Sequence, residues 1–179
     1  MNKNNPHKTR SAVRKVRPAA ASFVLLAIAA LGFTFTAMPA AAAPVTAPTM
    51  ESAVLSEMNI ARANNHRAPL RMLNTLTLPA RAQSRYLLKA GLLSHDSRDG
   101  SPFWTRLERA GFPRTHSMGE NLVELGGCND STAGLAVQLW MRSPAHRANL
   151  LDKRFHVTGV GVSFSADCDV TVITADYGS

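Results

Sequence analysis

The sequence predicts an α+β domain. Helix-period apolar patterning runs from about residue 50 to residue 150, and strict alternation begins only near residue 157. Helices first and a late strand pair fit a layered α+β domain and not a repeating β-α-β array.

The first 18 residues carry Lys3, Lys8, Arg10, Arg14, Lys15 and Arg17 with no acidic side chain, and an apolar stretch follows from Ala19 to Ala37. A charged segment, an apolar core and then small residues at Ala40 to Ala43 have the layout of a secretory signal peptide. Residues 1–42 are therefore read as a leader cleaved after Ala42, so that the mature chain begins near Ala43. The alternative is an uncleaved anchor, because about 19 apolar residues just span a bilayer core of about 30 Å. Both place the domain outside the cytoplasm, since positive charge stays inside. After cleavage no stable membrane span is expected.

Residues 43–49, APVTAPT, suit a short flexible linker, and residues 50–179 form the domain. In the first helix, from Met50 to about Asn65, Val54, Leu55, Met58 and Ala61 recur on one face, with Asn59 and Arg62 on a polar one. A second runs from Leu78 to Ala90, capped by Thr77 and stopped by Gly91, with Ala82, Tyr86, Leu87 and Ala90 inward. Ser101-Pro102 opens a third, with Phe103, Leu107 and Ala110 as its stripe and Gly111 as its end. A fourth, Asp130 to Met141, buries Leu135, Leu139 and Trp140, and Ser143-Pro144 caps a short turn carrying His146. Val160, Val162 and Phe164, a turn at Ser165 to Asp167, then Val170, Val172 and Ile173 read as a β-hairpin.

The net charge of +8 is mostly the leader's: fourteen basic against twelve acidic residues remain beyond it. That balance removes the case for a nucleic-acid partner, which needs basic residues clustered on the folded surface. The two cysteines, Cys128 and Cys168, form an even pair in a small exported domain, which predicts one disulfide. There is no C-x-x-C pair on which to build a zinc site.

His95 in SHDSRDG, Glu120 in MGENLVEL and His146 in SPAHRANLLD are the residues with chemistry to offer. Their spacing does not show that they converge. His95 lies in a polar loop reachable by ligand, or is a plain surface histidine. Glu120 stands at the edge of an apolar segment, as a site carboxylate, a cap or an ion-pair partner. His146 begins a capped turn, where its plain role is hydrogen bonding. His66, His116 and His156 are read as structural or surface residues. Phe103, Trp104, Met118, Trp140 and Met141 read as core sooner than as a ligand groove. Arg147 and Asn149 are read as hydrogen-bonding nearby backbone.

The succession Asn59-Ile60-Ala61-Arg62, His95-Asp96-Ser97, Gly119-Glu120-Asn121-Leu122, Trp140 through Leu151, Gly159-Val160-Gly161-Val162 and Asp176-Tyr177-Gly178 resembles bacterial members of the CAP superfamily. That superfamily groups cysteine-rich secretory, antigen 5 and pathogenesis-related proteins. The resemblance covers almost all of the predicted mature chain and implies an SCP-like α-β-α sandwich, a small antiparallel sheet between helical layers, with an open cleft. It further implies that His95 and His146 match two cleft histidines able to bind a divalent metal such as Zn²⁺, and that Glu120 matches a cleft glutamate. The family's other glutamate falls where this chain has Ser143, so the site is incomplete and any metal exchangeable.

The expected function is accordingly a secreted, monomeric, non-enzymatic binding module whose shallow cleft (His95, Glu120, Ser143, His146) holds a divalent metal or a small apolar ligand. One alternative is a metal-assisted or serine-type extracellular hydrolase using these residues with Ser94 or Ser143. Another is an interaction domain for a cell-envelope component, with a vestigial cleft.

Overall fold

The computed structural model describes residues 45–179, so the leader lies outside the described residues. The chain order is α1 (Ala47–Asn64), β1 (Arg71–Met72), α2 (Asn74–Ala90), α3 (Phe103–Arg109), β2 (Met118–Leu125), α4 (Thr132–Arg142), α5 (Pro144–Leu150), β3 (Val157–Phe164) and β4 (Thr171–Gly178). The four strands form one sheet in the order β1-β3-β4-β2. The expected hairpin is its centre; β2 pairs antiparallel with β4, and the two-residue β1 adds a parallel edge beside β3.

Helices cover both faces of the sheet. Side chains alternate across a strand, so the register assigns each residue to a layer. Val123, Ile173 and Val162 stand side by side and pack with Met50, Val54 and Met58 of α1, Ala136 and Trp140 of α4 and Leu150 of α5. Leu122 and Val172 face the other way, against Leu87 of α2. Leu76 of α2 meets Leu107 of α3 and Phe112 in a smaller cluster beside it. The α2 layer packs very close. A Cβ on Gly159 would lie 2.0 Å from the Leu76 carbonyl carbon, and one on Gly161 2.2 Å from that of Ala80. Only glycine lets helix backbone rest on strand backbone here.

Several expected details differ. Helix α1 starts at Ala47, inside the segment read as linker, and Thr46 caps it reciprocally with Thr49. Arg62 is fully buried, its guanidinium donating to the carbonyls of Ala68, Leu150, Asp152 and Phe155. Helix α2 starts at Asn74, so Thr77 is no cap; its hydroxyl donates to the Leu73 carbonyl inside the first turn. Its inner face is Leu76, Thr77, Ala80, Gln83, Ser84 and Leu87, and Ala82 and Ala90 are exposed. Ser101 caps nothing, since its hydroxyl is taken by Asp99, 2.6 Å away. In α4 the inner face is Thr132, Ala133, Ala136, Val137 and Trp140, while Leu135 and Leu139 are 43% and 37% exposed. The small alanines let α4 approach α1, which the larger leucines would prevent. Of the residues read as core, Trp104 is 45% exposed. Cys128 and Cys168 are disulfide-bonded, with Cα atoms 5.3 Å apart.

Candidate functional site

Strand β2 is an edge of the sheet, and successive residues on it serve opposite layers. Glu120 points to the α2 layer. There its Oε1 lies 2.7 Å from His95 Nδ1. The loop carrying His95 is clamped by Gln83 of α2, whose amide donates to the carbonyls of Ser94 (2.9 Å) and Asp96 (3.0 Å). Asn121 points to the α5 layer, where its amide donates to the His146 carbonyl at 2.9 Å. Asn149 of α5 donates to the Glu120 carbonyl and to Asn121 Oδ1. Glu120 thus contacts the His95 ring in one helical layer, and Asn121 holds the backbone of His146 in the other.

Beneath His95 lies a buried charge cluster that the sequence reading missed. Arg106 of α3 pairs with Glu120 Oε2, lies 3.8 Å from Asp176 Oδ1, and donates to the His95 carbonyl at 3.0 Å. Asp176 stands opposite Glu120 in the β2–β4 register, and among the described residues neither of its carboxyl oxygens has a hydrogen-bond partner. Burial pushes its carboxyl up to about 7, against the pull of Arg106 and His95. The available signals were an arginine within the α3 stripe between Phe103 and Leu107, and a carboxylate in an otherwise buried strand.

The electrostatics fix the state of His95. A carboxylate facing Arg106 can only accept, so when Glu120 takes that form Nδ1–H donates to it and Nε2 keeps its lone pair. Burial, then the Arg106 charge, lowers the imidazole below its ordinary value, partly offset by Asp96 and Asp176. His146 is lowered by burial and then by His95. Both are neutral at pH 7. The His95 side chain is 55% exposed, so this lone pair is accessible. Ser143 ends α4 and begins α5, and its side chain makes no cap hydrogen bond. His116 bonds to the Ser179 carbonyl, apart from this cluster.

Among the described residues no three His, Cys, Asp or Glu side chains group so as to hold a metal ion. Glu120 is already committed to His95 and Arg106. Two imidazoles with water completing the shell suit an exchangeable cation, and not a closed four-ligand structural site.

Residues 55–177 match the sequence profile of the CAP family, described as the cysteine-rich secretory protein family. The chain belongs to this family. Its CAP domain is 31% identical over 120 residues to the uncharacterized protein YkwD of Bacillus subtilis (strain 168), a match covering 66% of this chain and 44% of that protein. The chain thus spans less than half the length of that curated relative. An outer surface protein from Borrelia burgdorferi superposes with a TM-score of 0.63 at 17% identity, over 73% of this chain and 92% of that one. An extracellular protein containing an SCP domain from Bacillus anthracis str. Ames does so with a TM-score of 0.60 at 23% identity, over 75% of this chain and 44% of that one. These two likenesses establish the α-β-α sandwich.

Proposed function

We propose that this chain is exported and that its CAP domain is a non-enzymatic binding module, in which His95 and His146 share an exchangeable divalent cation such as Zn²⁺. Glu120 orients His95 and does not ligate the ion. The observation that carries this reading is the 2.7 Å contact between His95 Nδ1 and Glu120 Oε1; with Nδ1–H donating to the carboxylate, the opposite ring nitrogen is free to bind a metal. A carboxylate behind a histidine raises the basicity of the nitrogen that binds metal. Membership of a family whose neighbours are described as extracellular or outer-surface proteins supports export. So does the charged and apolar leader, which predicts that exported protein begins near Ala43.

Titration calorimetry with Zn²⁺ tests the site. At pH 7.5 the wild type binds, His95→Ala and His146→Ala lose most binding, and Glu120→Gln weakens it by about 10- to 100-fold. Protons compete for the same lone pairs, so affinity falls as pH drops through the imidazole range. Because burial lowers both imidazoles, that loss begins below their ordinary value of 6.5. Equal affinity in wild type and both histidine variants would sink the reading. Turnover of peptide or ester substrates that disappears in His95→Ala would replace it with a hydrolase, for which the Glu120–His95 pair is a ready general base.

A further inference from the structure

The balance of fourteen basic against twelve acidic residues beyond the leader hides an uneven distribution. Residues 61–72 and 147–157 hold six of those basic residues and one of the acids, Asp152, so the rest of the domain is net negative. The two segments form one surface. Arg67, in the loop between α1 and β1, donates through Nε to the Leu151 carbonyl at 2.8 Å, and Arg147 of α5 donates to Asn65 Oδ1 at 3.4 Å. The Arg71 amide donates to the His156 carbonyl at 3.1 Å. Asp152 is taken by Arg154 at 2.6 Å. Among the described residues Arg67, Arg71, Arg147 and Lys153 join no salt bridge, and all four are exposed. Four exposed acids, Glu124, Asp130, Asp167 and Asp169, gather at the far end of the sheet, about 23 Å along β3.

The backbone marks the same surface independently. Helix α1 ends in a turn where the His66 amide donates to the Ala63 carbonyl and the Arg67 amide to the Arg62 carbonyl, which puts His66 in the left-handed region at φ 55°. Glycine takes that position without strain, whereas a side chain does not. His66 is exposed, so the strained turn holds an imidazole out beside the cations.

We propose that this surface binds an acidic polysaccharide, whose carboxylate or sulfate groups are taken by Arg67, Arg71, Arg147 and Lys153, with the His66 ring donating one further hydrogen bond. Guanidinium forks bind such oxyanions in pairs, and Arg67 is anchored through Nε alone, which leaves its two terminal nitrogens for the ligand. The acidic far end repels the polymer and steers it to the basic end. Nucleic acid fits less well, because single strands stack on aromatic rings and the one Phe, Tyr or Trp of the two segments, Phe155, is 2% exposed. The surface contains neither His95 nor His146, and the proposal rests on export of the chain and not on the cation site.

Calorimetry on the exported form, which lacks the leader's six basic residues, tests this with a heparin oligosaccharide, polygalacturonate and dextran. Dextran does not bind. Heparin alone binding assigns sulfate as the group recognised, polygalacturonate alone assigns carboxylate, and both together assign acidic sugars as a class; affinity falls with added salt as counterions are released. Arg71→Glu/Lys153→Glu weakens binding about tenfold or more, whereas Arg85→Glu/Lys89→Glu on α2, an equal change of net charge, alters it by less than about threefold. All four positions are exposed, so the variants fold, and circular dichroism verifies it. His66→Gly relieves the left-handed turn, so the melting temperature rises while affinity falls about fivefold. The proposal is overturned by binding of neither acidic polymer, by equal losses in the two glutamate pairs, or by affinity unchanged in both Arg71→Glu/Lys153→Glu and His66→Gly. Tighter binding of a single-stranded oligonucleotide than of either polymer overturns it as well. The N-terminal sequence of the preparation reads export separately, so failure of export and failure of this surface are distinguishable.

Discussion

At the scale of single residues, the domain depends on polar groups buried where patterning puts apolar ones. Arg62 joins the end of α1 to α5 and to the segment before β3 through four backbone carbonyls. Arg62→Met keeps the length of the side chain and strands those acceptors, so it costs about 3 kcal/mol or more, read from the urea midpoint. Asp176 sets a pH dependence. An acid raised from 3.8 to about 7 favours the folded state fully below 3.8, and that contribution is lost as pH rises through about 7. The lowered imidazoles of His95 and His146 act oppositely: their contribution is present above 6.5 and lost as pH falls through their depressed native values. Asp176→Asn removes the first effect and, by taking away the charge that partly offsets the lowering of His95, deepens the second in the same direction. Its stability relative to wild type therefore improves between pH 5 and pH 8; a gap that does not change across that range would contradict the assignment.

At the scale of elements, the contact of α2 with the sheet decides where the His95 loop lies. Gly161→Ala places a methyl against the backbone of Ala80 and Arg81, which cannot move aside as a side chain would. A loss of about 3 kcal/mol or more is expected, and weaker zinc binding with it, because α2 carries Gln83 and the loop it clamps. Gly134→Ala is the contrast. A Cβ there meets Glu57 at an ordinary 3.9 Å inside α4, so this change stabilises by about 0.5–1 kcal/mol. The same packing explains what the sequence could disclose. The helices and the hairpin followed from periodicity and punctuation. Strand β2 did not, because helices on both sides bury nearly all of it and erase the alternation. The inner faces of α2 and α4 were misjudged because small and polar residues, Ser84, Ala133 and Ala136 among them, form the close contacts. His95, Glu120 and His146 were named through the family resemblance, since separations of 25 and 26 residues say nothing about convergence until β2 is known to be an edge. Arg106 was not singled out, and Asp176 was quoted within the resemblance without a role, because one charge in an apolar pattern does not show which partner it meets.

At the scale of the whole molecule, stability and binding are built at opposite ends of β2. The Cys128–Cys168 bridge joins the loop after β2 to the β3–β4 turn and closes 40 residues, which corresponds to about 4 kcal/mol in the chain-entropy model. Glu120 lies toward the other end, where β2 meets the end of β4. Reduction should therefore lower the melting temperature while the zinc affinity of the folded protein stays the same, and a parallel loss of affinity would show that the two ends are coupled. In the proposed site, histidines from the two helical layers meet over the β2 edge and share one ion. Crystals soaked in Zn²⁺ and measured at the zinc absorption edge test it most directly. An anomalous peak is expected within about 2.0–2.1 Å of one ring nitrogen of His95 and one of His146, with Glu120 still on His95 Nδ1. A map with no peak between these two imidazoles, or with zinc only at His66, His116 or His156, would contradict it.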